Sequence, residues 1–98
     1  MGRYLALWDM DRTKIPMDIK ERAVGFSMLI EIVKEDMKKG ATKEWGVFPG
    51  EFAGYCVIEA TEVDAMILVQ KYTPYVYFKV SPVASVKDVD EMIKVMNK

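Results

Sequence analysis

The sequence predicts an α+β fold in which a four-stranded antiparallel sheet carries its helices on one side. Three observations lead there. β-rich runs alternate with segments of helical periodicity in the order β-α-β-β-α-β-α. Two adjacent β-rich runs are joined by a Pro/Gly loop, and the other crossings are made by helices. The stretch from Gly54 to Val83 contains the motif in miniature: a strand, a capped helix and a second strand.

Residues 3 to 9, aromatic and apolar, form a first strand. The polar stretch after it reaches Pro16, a residue suited to the first turn of a helix. A long helix is expected from about Pro16 to Lys39. Ile19, Ala23, Phe26, Ile30, Val33 and Met37 recur at steps of four and three and so share one stripe. Met28, Leu29 and Ile32 widen that arc. Gly40 after Lys38 and Lys39 has the chemistry of a C-terminal cap.

Residues 42 to 48 form a second strand, residues 49 to 54 a hairpin loop, and residues 54 to 60 a third strand. Thr61 with Asp64 opens a second helix, which ends near Tyr72 because Pro74 disfavours α geometry at Thr73. A fourth strand follows over about 76 to 82. Ser85 with Asp88 opens a last helix whose Val86, Val89, Ile93 and Met96 lie on one face. This order specifies a split βαβ, or ferredoxin-like, arrangement with strand order 4-1-3-2, in a single domain over residues 1–98.

Composition removes several function classes. The chain of 98 residues carries 14 basic and 15 acidic side chains, a net charge of −1 and a pI near 5.4. It lacks the basic footprint that nucleic acid or an anionic membrane surface demands. No apolar run is long enough to span a bilayer and no leader pattern opens the chain, so a soluble, cytoplasmic protein is expected. Cys56 is the one cysteine and reads as a small buried hydrophobe, and there is no histidine. No phosphate-cradling loop, metal-ligand cluster or nucleophile elbow is present, and no cofactor is expected.

Alternation assigns the strand faces. On the fourth strand Val76, Phe78 and Val80 go under the helices, with Tyr77, Lys79 and Ser81 on the open side. On the third, Cys56 and Ile58 go inward and Tyr55, Val57 and Glu59 outward. On the first, Tyr4, Ala6 and Trp8 are placed on the open face, with Leu5 and Leu7 under the helices. Trp45 and Val47 share a face that alternation alone does not choose. An open face bearing Tyr4, Trp8, Tyr55, Glu59, Tyr77 and Lys79 needs a cover.

Trp45-Gly46, Gly50-Glu51, Gly54-Tyr55, Pro74-Tyr75 and the run Phe78-Lys79-Val80-Ser81-Pro82-Val83 resemble the dimeric α+β barrel superfamily. More narrowly, they are similar to small prokaryotic domains of unknown function related to muconolactone-isomerase-like proteins. The resemblance implies two sheets facing across a two-fold axis, around an interior that holds a small, often aromatic or oxygenated molecule. The sequence departs from relatives that use a histidine, and no family's catalytic set maps onto it residue by residue.

The expected function is therefore a homodimeric or higher homo-oligomeric module that binds a small molecule without catalysis, with Tyr4, Trp8, Trp45, Tyr55 and Tyr77 as ligand-contacting residues. The alternative is a cofactor-independent isomerase or monooxygenase using Glu59 and Lys79 with the tyrosines. A base-stacking, RNA-binding sheet is the remote third reading. It lacks the basic, Phe-rich strand such sheets carry.

Overall fold

A computed structural model describes residues 2–98. Strand β1 (Gly2–Met10) leads through a 3-10 turn (Arg12–Lys14) to helix α1 (Ile19–Lys39). Strands β2 (Thr42–Val47) and β3 (Ala53–Ala60) form the hairpin, helix α2 (Glu62–Gln70) crosses to strand β4 (Val76–Pro82), and helix α3 (Val86–Met96) follows. The strands pair antiparallel in the order β2-β3-β1-β4, which is the expected 4-1-3-2 read from the other edge. The fold is α+β, four antiparallel strands with three α-helices.

Capping explains where the helices begin and end. Helix α1 starts at Ile19 rather than near Pro16 because Asp18 takes the N-cap, its carboxylate accepting from the Glu21 amide. It stops at Gly40, whose φ of 84° is left-handed and whose N–H turns back to the Asp36 and Met37 carbonyls. Thr61 caps α2 by accepting from the Asp64 amide. Ser85 and Asp88 complete a reciprocal capping box on α3, and the Ser85 amide, with its hydroxyl second, holds the Asp88 carboxyl below its ordinary range.

Register settles the sheet faces and corrects one of them. Cys56 and Ile58 of β3 are buried under the helices, as are Val76 and the half-buried Phe78 of β4, while Tyr55, Val57, Glu59, Tyr77 and Lys79 face away. Directly opposed residues of an antiparallel pair share a face. Ala6 opposes Cys56 and Trp8 opposes both Gly54 and Phe78, so Tyr4, Ala6 and Trp8 lie on the helix side. Leu5 and Leu7, expected inside, are 37% and 46% exposed on the open face. Both sets are apolar, so hydrophobicity gives no preference. Pairing decides, because the Trp8 ring needs the space over a glycine.

The core is the layer between this sheet face and helices α1 and α2: Ala6, Trp8, Val33, Cys56, Ile58, Ala60, Ala65, Leu68, Tyr72 and Val76. The predicted stripe on α1 is buried only in part, since Val33 is enclosed but Ile19 and Met37 are exposed. Helix α3 packs differently. Its apolar residues form the expected stripe, yet every residue from Lys79 to Lys98 is exposed. The molecule is accordingly elongated, 62 × 26 × 18 Å, with a radius of gyration of 16.4 Å against about 13 Å for a compact chain this long.

Candidate functional site

The site grows from two tryptophans. Trp8 on β1 and Trp45 on β2 sit on the helix side of the sheet with β3 between their strands, and each ring reaches over β3 toward the other. Their indoles stack with centroids 5.4 Å apart and planes 11° apart. The Trp8 Nε1–H donates to the Tyr55 carbonyl at 3.3 Å, which fixes the ring across β3. Gly54 makes room for it. A methyl group there would stand 2.5 Å from the Trp8 ring and strike the Gly46 carbonyl.

Helix α1 does not close down on this pair. A cavity of about 470 Å³ lies between them, within the size range of small-molecule sites. Trp8, Trp45 and Phe78 form its floor, while Phe26, Ile30 and Val33 of α1 form its roof. Polar groups on the lining are few, namely Ser27, Thr42, Glu51 and Tyr72. An apolar surround with a handful of polar groups is what an apolar or aromatic ligand requires.

A buried carboxylate stands behind one wall. Asp36 of α1 is 2% exposed and accepts from the Tyr72 hydroxyl at 2.9 Å and from the Lys71 ammonium. Such an anion near the C-terminal end of a helix opposes the helix dipole and is desolvated, so it needs both donors. Burial, then the hydrogen bond to Asp36, pushes the Tyr72 phenol far above its ordinary value. Burial, with a smaller push from the Asp36 charge, raises the Cys56 thiol to about 11. Both groups are therefore neutral at neutral pH.

The residues predicted to contact a ligand divide between the two faces of the sheet. Trp8 and Trp45 line the cavity. Tyr4 is on the same face, packed against the core but away from the cavity lining. Tyr55 and Tyr77 are on the open face, where their hydroxyls donate to Glu44 at 2.6 Å and Asp11 at 3.0 Å. These bonds raise both phenols, and Asp11 is lowered by its contacts with the Thr13 hydroxyl and amide. Glu59 is also on that face, 4.0 Å from Arg3, as is the exposed Lys79. Neither touches the cavity.

Sequence reasoning missed Asp36 and Tyr72. Asp36 follows Val33 by three and precedes Met37 on the inner arc of α1, which was the available signal. Among the described residues no group of three or more His, Cys, Asp or Glu could hold a metal ion, and no helix is long and apolar enough to cross a membrane. Compared with known protein families and with curated proteins, the chain matches none.

Proposed function

We propose that the chain is a ferredoxin-like, dimeric α+β-barrel module that binds a small apolar or aromatic molecule, oxygenated ones included, without converting it. The observation that carries this reading is the cavity of about 470 Å³ floored by the stacked Trp8 and Trp45. The state of its neighbours supports binding over catalysis. Tyr72 is committed to Asp36, and the Cys56 thiol is pushed up to about 11, so neither serves as a base or nucleophile near pH 7.

Self-association draws support from the opposite face. Leu5, Leu7 and Val57 make an apolar patch there, and α3 offers a second, unpartnered apolar stripe. A second copy would cover the open face and enclose Tyr55, Glu59, Tyr77 and Lys79 between two sheets. The catalytic alternative would draw on Glu59 and Lys79. It has less support, because the phenols beside them already donate to Glu44 and Asp11.

A thermal-shift screen of small aromatic and quinone-like compounds tests the reading. A hit should stabilise the wild type and the Glu59→Gln, Lys79→Met variant equally, and should lose its effect in Trp45→Ala. Stabilisation abolished by the Glu59 and Lys79 changes but indifferent to Trp45 would move the site to the open face.

A further inference from the structure

A second cavity, of about 240 Å³, adjoins the first, and Met10, Phe26 and Leu29 line both. Its chemistry is different. Lys14, Arg22 and Lys71 line it, with Asp11 as its one carboxylate. Asp11 is occupied: Oδ1 accepts from the Thr13 amide and hydroxyl, and Oδ2 from the Tyr77 hydroxyl. Lys71 is likewise committed to Asp36. Lys14 and Arg22 form no ion pair among the described residues.

Arg22 carries the argument. Its Nη2 donates to the Met17 carbonyl at 3.3 Å, while its Nη1 makes no hydrogen bond among the described residues. A guanidinium with an unpaired N–H donor offers a charge-assisted hydrogen bond to an anion. An anion seated in this cavity would accept from Nη1 and balance the charge of Lys14 and Arg22.

We infer that the two cavities form one bipartite site for an amphiphilic organic anion, its apolar body against Trp8 and Trp45 and its anionic head at Arg22 and Lys14. The inference rests on the larger cavity being a ligand site, and it adds the charge and polarity of that ligand. Both tryptophans of the chain line the larger cavity, so intrinsic fluorescence reports its occupation.

The test is a fluorescence titration with decanoate and with decanol at neutral pH, on the wild type, Arg22→Gln and Lys14→Gln, with circular dichroism to verify folding. Decanoate should bind about ten- to a hundredfold more tightly than decanol, the range of one or two charge-assisted contacts. Arg22→Gln should remove most of that preference, and Lys14→Gln part of it, with decanol affinity unchanged. Equal affinities in the wild type, or an Arg22→Gln variant that weakens both ligands alike, would overturn the anion site and leave the apolar cavity standing. Binding of neither molecule would overturn both.

Discussion

Trp8 and Gly54 face each other across the β1–β3 ladder, and the indole occupies the volume that any side chain at position 54 would need. That relationship sets the depth at which the ring lies and hence the floor of the cavity. Gly54→Ala should destabilise the fold by about 1–3 kcal/mol, the range for overpacking a tight site, and should shift the tryptophan emission. Urea unfolding followed by fluorescence measures both. An alanine variant with wild-type stability and spectrum would mean that the ring is free to move aside.

The Asp36 cluster joins the end of α1 to the end of α2. Tyr72→Phe removes one donor from a carboxylate that is 2% exposed, and should cost about 1–3 kcal/mol in urea unfolding. Combined with Asp36→Ala, the Tyr72→Phe change should cost less than it does alone, because the buried carboxylate that loses a donor is gone. Strict additivity would show that the hydroxyl contributes little to holding the carboxylate.

Cys56 yields a pH prediction. Its folded-state thiol is raised to about 11, whereas an unfolded thiol titrates near 8.5. A raised value stabilises the fold fully below the unfolded titration, and that contribution is lost as pH climbs toward 11. The melting temperature should fall across this window, with the Tyr72 phenol adding to the loss above about pH 10. Iodoacetamide at pH 8 should leave the native thiol unmodified and label it promptly in urea. Rapid labelling of the native chain would place the thiol in contact with solvent.

Self-association follows from the uncovered apolar surface. Sedimentation at micromolar concentration should give at least a dimer. Leu5→Lys combined with Leu7→Glu should reduce it to a monomer that keeps its fold, since both residues are exposed in the single chain. A wild-type monomer would remove the proposed two-sheet enclosure.

Much of this architecture is legible in the residues, and the exceptions have physical causes. Strands β3 and β4 each pair an inward apolar set with an outward set that carries a charge (Glu59 on β3, Lys79 on β4), so alternation orients them without help. Strand β1 has two apolar sets, and only its pairing partners choose between Tyr4–Ala6–Trp8 and Leu5–Leu7. The cavity was beyond sequence reasoning because it depends on how far α1 stands from the sheet, a distance that periodicity does not encode. Asp36 is not legible in the sequence, because a charged residue on an inner arc reads as solvated until its partners, 35 and 36 residues onward, are brought alongside. The α3 stripe is apolar as its periodicity predicts, but among the described residues nothing buries it.

The most direct test of the account is the pair of tryptophan indole N–H signals in a ¹H–¹⁵N correlation spectrum, followed as decanol is added. Ligand seated beneath α1 should move both signals, saturably, together with the amides of Phe26, Val33 and Phe78. Stationary indole signals, with shifts confined to Leu5, Leu7, Tyr55 and Tyr77, would contradict it and place binding on the opposite side of the sheet.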